Sequence, residues 1–441
     1  MELRDIIVTP SVIIGVLMVA YFIRTSATDQ NTRRYFFPAL LLKMFAAIAL
    51  GIIYQFYYSG GDTFNYHTHG SRIIWGAFWD DFTLGLKLLF SDGELIRGTY
   101  KYAVQILFYR DPPSFAVVRI ASFFDLFTFS SYSATAVLFS VISFIGGWSM
   151  FLTFYKKYPH LHFRIAIATM FIPSVIFWGS GILKDTIVLA CLGISVYAID
   201  QIFFQRRVKF LTLFFLMVSL LTIFTIRKFV LQAFIPSIAL WVYFNQLARM
   251  KSIVLKILIA PLIVSMFLFT AYYSVNKVGE GDTKYSVNKL AETAKITAYD
   301  IGFYTGANAG SSYSLGEFDN SFASMLRLAP QAVNVALFRP YLWEVRNPLM
   351  LLSAVESMFF FIATIYLLIK VGFAFKLFFR NTDTTFCFIF AITFAFAVGI
   401  SSYNFGTLDR YKIPLLPFYL LWLILTLDQR SNSNEGKKAL S

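Results

Sequence analysis

The sequence predicts an all-helical, multi-pass membrane protein, and three observations carry that reading. Of 441 residues, 58% are hydrophobic and only 14% charged, with a mean hydropathy of +0.65. A soluble chain carries about 25% charged residues. Half that density is too little to cover a water-facing surface, which excludes a soluble enzyme, a disordered chain and a collagen-like fibre. Apolar stretches approaching the roughly 20 residues needed to cross a bilayer recur along the chain. Period-2 alternation is absent from them, which argues against a membrane β-barrel.

Eleven stretches qualify: 6–23, 35–57, 129–153, 165–181, 186–204, 210–226, 229–247, 253–274, 349–371, 385–400 and 413–427. The fourth, tenth and eleventh are short. The opening Met-Glu-Leu-Arg-Asp sets acids beside its one arginine, and no small-residue cleavage site follows, so it reads as the lead into a first span and not as a signal peptide. Basic loops set the orientation. Arg24, Arg33 and Arg34 begin a series of alternate segments that together hold 18 basic and 5 acidic residues. Placing that series in the cytoplasm leaves the N-terminus outside and the C-terminal tail (428–441) inside. The net charge of +14 then reads as a topology signal and gives no support to a nucleic-acid partner.

Two long outer segments result, 58–128 and 275–347, in what is otherwise a single membrane domain. The first has amphipathic stretches, Ile73–Phe90 and Tyr100–Phe108, suited to lying along the membrane surface. The second has a polar middle from Gly302 to Asn320 that reads as a loop or lid. Cys191 and Cys387 fall in spans and read as packing residues.

Five short polar segments collect on the outer side: 60–67, 180–185, 227–228, 338–348 and 404–414. Gly60-Gly61 allows a sharp turn that aims Asp62 along the surface. There Asp62 suits a general base or a metal-side acid; the plainer reading is a helix cap. Tyr66 and His67 follow it, and His67 and His69 read more simply as surface histidines than as metal ligands. Lys184 suits a phosphate contact; the plainer reading is a local ion pair at a helix end, with Asp185 as N-cap. Arg227 and Lys228 oppose the positive-inside bias, so they suit a lipid phosphate, or snorkelling to headgroups. Arg339 and Arg346, beside Glu344, suit bidentate phosphate or carboxylate binding, and Tyr341 and Trp343 suit stacking on a sugar ring or, more plainly, anchoring at the membrane interface. Glu356 is an acid two turns into the ninth span. Asp409, Arg410, Tyr411 and Lys412 occupy the last outer segment, with Arg410 the foremost phosphate candidate. Lys43, inside the second span, is assigned no role.

The Gly-Asp-x-x-x-Tyr set (Gly61, Asp62, Tyr66) and the Gly-Thr-x-x-Arg-Tyr-x-x-Pro set (Gly406, Thr407, Arg410, Tyr411, Pro414) resemble the C-type (GT-C) glycosyltransferases. The 338–348 and 180–185 segments also look like membrane proteins of polysaccharide clusters in bacteria related to Bacteroides. The resemblance implies a multi-span enzyme of the bacterial inner membrane, acting at its outer face in envelope or exopolysaccharide assembly. Membrane lipids, a polyprenyl-phosphate-linked sugar donor and a glycan or lipid-linked acceptor would be its partners. Asp62 would be the base or metal-side acid, and Arg410 would bind the lipid phosphate. Two departures stand out. The acidic loop follows the second span, where the family usually has it after the first. The usual paired acid is replaced by Asp62-Thr63, with Asp80 and Asp81 as substitutes, so a divalent cation (Mg or Mn) at Asp62 is left open. The rivals are an O-antigen-type polymerase or ligase, in which Arg339, Arg346 and Arg410 would matter more than Asp62, and a transporter or flippase of lipid-linked sugars.

Overall fold

A computed structural model describes residues 2–249, 312–316, 322–372 and 375–438, with the single positions 265, 292, 295, 296 and 299. The expected span at 253–274, apart from position 265, and most of the Gly302–Asn320 stretch lie outside the described residues. Among the described residues there is no β-strand, only an isolated bridge between Ser312 and Asn404. Seven helices among the described residues are long and apolar enough to cross a membrane, or eight if the bent pair Phe405–Tyr411 and Leu416–Ser431 is one span.

Differences from the eleven expected spans have local causes. The stretch at 165–181 is two short helices, His162–Met170 and Pro173–Trp178. Pro173 lacks an N–H and holds Ile172 extended (φ −72°, ψ 125°), which breaks the run. The stretch at 413–427 joins a short helix at a 66° bend, with Pro414 in the break. The segment 58–128 is largely helical and ends in a 17-residue helix, Pro112–Thr128, that the sequence pattern did not single out.

By contacts the chain divides into two units, 1–200 with 208–227, and 201–207 with 228–441. The first holds α1 (Leu3–Ala27), α2 (Arg33–Phe56), α3 (Asp62–Tyr66), α4 (Arg72–Asp80), α5 (Phe82–Leu89), α6 (Tyr100–Ala103), α7 (Pro112–Thr128), α8 (Tyr132–Lys157), α9 (His162–Met170), α10 (Pro173–Trp178), α11 (Lys184–Ile199) and α12 (Phe210–Ile226). Burial of the apolar window rises from 11% in α1 through 50% in α2 and 61% in α8 to 78% in the helix that begins with α11. That helix is the central post of the unit, and α1 turns Ile7, Ile14, Val19 and Phe22 outward as a lipid-facing row.

The α8–α11 seam depends on small residues. A Cβ on Gly193 would meet the Gly146 carbonyl oxygen at 2.1 Å, and one on Gly146 would meet Ala190 Cα at 2.4 Å. Glycine alone lets the two backbones approach so closely. Side-chain contacts then sort the helix ends. At one end Asn31 bonds Tyr155, Tyr35 bonds His162 and Lys157 pairs with Asp200. At the other Arg72 pairs with Glu2, Thr63 bonds Tyr132, Lys184 faces Asp111 and Arg227 pairs with Asp185.

The second unit holds α13 (Lys228–Arg249), α14 (Phe322–Arg327), α15 (Ala329–Phe338), α16 (Pro348–Val371), α17 (Thr382–Ser402), α18 (Phe405–Tyr411) and α19 (Leu416–Lys438). Its core is aromatic. Trp241 stacks on Phe386 with centroids 4.4 Å apart, and its indole N–H donates to Asp383 at 2.7 Å. A Cβ on Gly399 would meet the Ala332 carbonyl oxygen at 2.1 Å, so α15 and α17 also touch backbone to backbone.

Gly193→Val forces the α8–α11 seam apart and should cost at least the ~1–3 kcal/mol typical of overpacking, read as a lower thermal midpoint of the detergent-solubilised protein. Gly15 of α1 has nothing within 4 Å of its would-be Cβ. Gly15→Ala should hold or raise the midpoint, since alanine favours a helix by about 1 kcal/mol.

Candidate functional site

The polar segments divide between the two units: 60–67, 180–185 and Arg227 belong to the first, and Lys228, 338–348 and 404–414 to the second. In the first unit, Gly60 and Gly61 take φ of 124° and 127°, a region open to glycine, and turn the chain out of α2 into α3. Asp62 is the first helical residue, with Gly61 in the cap position, so the cap reading of Asp62 does not hold. It is half-buried. A Cβ on Gly61 would lie 2.9 Å from the Tyr54 ring, and Tyr54 meets Trp178 edge to face at 6.4 Å. Gly181 packs on Leu50 of the same α2 turn region. Through α2, the Asp62 corner and the corner that leads into Lys184 are neighbours.

Asp185 is not the N-cap of α11; Leu183 holds that position. Its carboxylate instead meets the Arg227 guanidinium at 2.7 Å, with side chains 1% and 7% exposed. Lys184 is looser, 3.6 Å from Asp111, which is 49% exposed. Of these two cations Lys184 is the more exposed, 19% against 7%. Tyr66 is buried against Phe108, with ring centroids 5.2 Å apart.

His67 corrects the surface-histidine reading. It is fully buried in a π-helical turn, His67–Ser71, with Nε2 3.5 Å from Asp125. Asp125 accepts from Ser71 and Thr135 at 2.6 Å each. This network pins the turn that carries α3 onto α7 and α8. Its signal in the sequence was a lone acid inside the apolar run Ala121–Phe129. His69 is exposed. Among the described residues no group of three His, Cys, Asp or Glu is placed to hold a metal. Asp81 caps α5 through Thr83, and Asp80 pairs with Lys101 at 3.1 Å, so both have structural work away from Asp62.

In the second unit, 338–348 and 404–414 come together. The 404–414 segment, expected as a loop, is the short helix α18, capped by Asn404 accepting from Thr407 N–H at 3.0 Å. Arg339 forms a bidentate pair with Glu344 and lies over the rings of Phe405, Tyr313 and Tyr341 at 5.2, 5.7 and 5.9 Å. Burial alone would raise the Glu344 carboxyl. The Arg339 hydrogen bonds, the Tyr341 N–H and the charges of Arg339 and Arg346 outweigh it and hold the group below its ordinary 4.5. Burial pushes the Tyr313 phenol well up, so it stays a neutral ring. Lys412 is buried, paired with Asp409 at 2.9 Å and bonded to Ser357, whose hydroxyl donates to the Arg339 carbonyl. Arg346 and Trp343 are exposed; Lys228, Glu356, Arg410 and Tyr411 are half-buried. Trp343 stacks on Tyr341 at 4.7 Å and leaves an aromatic face outward.

The fold defines a multi-pass, all-helical membrane protein. Protein-family models, curated proteins and solved structures contain no match to the chain. The likeness to the GT-C enzymes therefore rests on the short motifs alone.

Arg227→Ala leaves Asp185 buried and unpaired and should cost ~3–5 kcal/mol, whereas Lys184→Ala should cost under ~1 kcal/mol. The double change Asp185→Asn/Arg227→Gln should recover most of the first loss in thermal unfolding. For Glu344 the sign is set by its depressed folded value. Its stabilisation is complete above 4.5 and is lost as pH falls through that lower value. Glu344→Gln should lower the thermal midpoint at neutral pH, and its gap to wild type should close as the medium is acidified below 4.5.

Proposed function

We propose that the protein transfers a sugar from a polyprenyl-phosphate donor at the outer face of the bacterial cytoplasmic membrane, in envelope or exopolysaccharide assembly. The observation that supports it is the Asp62 corner: a half-buried carboxylate at a helix end, beside the corner that presents Lys184. Asp62 takes the proton of an acceptor hydroxyl as that oxygen attacks the anomeric carbon. The bond to the donor phosphate breaks in the same displacement, with inversion, and the phosphate leaves with its charge stabilised by Lys184. Within the second unit, taken by itself, Arg410 and Arg346 are candidate phosphate contacts and Trp343 is a candidate sugar platform. A divalent cation at Asp62 remains part of the proposal only as an option to be titrated.

A transporter of the same lipid-linked sugars is the second reading, favoured by the interrupted helices α9 and α10 at mid-bundle.

Asp62→Asn should abolish glycan output from cells while the protein accumulates and inserts normally, and Lys184→Ala should lower output by at least tenfold. Near-normal output from Asp62→Asn would remove Asp62 from the chemistry and leave polymerisation or transport as the better reading.

A further inference from the structure

The most unusual charge in the molecule is one to which the sequence reading gave no role. Lys43 lies in the middle of α2 and is 4% exposed. Among the described residues it has no carboxylate partner. Its ammonium donates to three oxygens: Ser143 Oγ of α8 at 2.9 Å, the Val175 carbonyl of α10 at 2.8 Å and the Gly179 carbonyl at 2.9 Å. The two carbonyls stand at the C-terminal end of α10, where the helix dipole is negative. A cavity of about 10 Å³, one water in size, adjoins the ammonium and is lined by Ala39, Gly147, Thr169 and Leu189.

The chemistry of this cradle is that of a cation site. Main-chain carbonyls and a hydroxyl replace the hydration shell of a monovalent ion in a low-dielectric interior. The spacings of 2.8–2.9 Å suit an ammonium, or K⁺, which is of similar size. The end of α10 creates the need. The helix stops at Trp178 and the chain turns before α11 begins at Lys184, which leaves the Val175 and Gly179 carbonyls in apolar surroundings, where an unpaired carbonyl costs several kcal/mol. Nothing in this argument depends on the proposed glycosyl transfer.

We propose that the α2–α8–α10 cradle is a monovalent-cation site that the chain fills with its own Lys43 ammonium, so that the interrupted span needs no diffusible ion. Removing the side chain at Cβ empties the cradle and opens it to a free cation of ammonium or K⁺ size.

The test uses the full-length protein in detergent, with thermal midpoints read in methylammonium, potassium, sodium and N-methylglucamine chlorides at equal ionic strength. The wild type should give one midpoint in all four. Lys43→Ala should unfold at a lower temperature in N-methylglucamine and regain at least half of the loss in methylammonium or potassium. Lys43→Met, which fills the space without donors, should be lowered and stay lowered in every salt. If Lys43→Ala fails to accumulate, its yield from cells grown with and without methylammonium is the readout, and recovery is expected. The proposal is overturned if Lys43→Ala unfolds at the wild-type temperature, if all four salts act alike on it, if Lys43→Met is rescued equally, or if methylammonium leaves the yield unchanged.

Discussion

A charge taken out of water must find its partner inside the protein, and this constraint organises the first unit. Asp185 and Arg227 tie α11 to the end of α12 at 2.7 Å. Lys157 and Asp200 tie α8 to the end of α11 at 3.1 Å. Asp125 gathers Ser71, Thr135 and His67 where the surface helices meet the bundle. Lys43 holds the C-terminal end of α10 through carbonyls. Desolvation makes each of these costly to break from one side only. They act as locators as much as stabilisers, fixing which helix ends lie together and so which loops share a face.

That constraint changes how the cations of the candidate site are read. A phosphate ligand needs a guanidinium or ammonium whose charge is available. Arg227, Arg339 and Lys412 are each engaged by a carboxylate in a partly or fully desolvated pair. Lys184 has the most exposed carboxylate partner of the four and the longest separation. The polar loops therefore divide into residues that hold the corners in place and a set that is half-buried or exposed: Asp62 and Lys184 in the first unit, and Arg346, Arg410 and Trp343 in the second.

Much of the architecture was legible in the sequence because lipid demands a strong, simple signal. Long apolar runs gave the helices at 3–27, 33–56, 132–157, 348–371 and 382–402 within a few residues. The turn at Gly60-Gly61 was readable because glycine pairs have a definite backbone use. Hydropathy could not separate a continuous span from a broken one, since 165–181 stays apolar across the Pro173 break. It also gave no sign of the helix at 112–128, where Arg119 and Asp125 interrupt the apolar run. Asp125 is satisfied by hydroxyls brought from α8 and the π turn, 10 and 54 residues away. Lys43 was silent for the same reason: its acceptors are main-chain atoms more than 130 residues distant and a serine 100 away. Carbonyl acceptors leave no residue-type signature.

The central functional claim is that one sugar is added per turnover from a lipid-linked donor. Its most direct measurement is the set of lipid-linked glycans in cells lacking this protein. The account predicts repeat units that are each short of one sugar. Complete single repeats that fail to lengthen would assign the chain to polymerisation, and complete repeats trapped on the cytoplasmic side would assign it to transport. Either result would contradict the account.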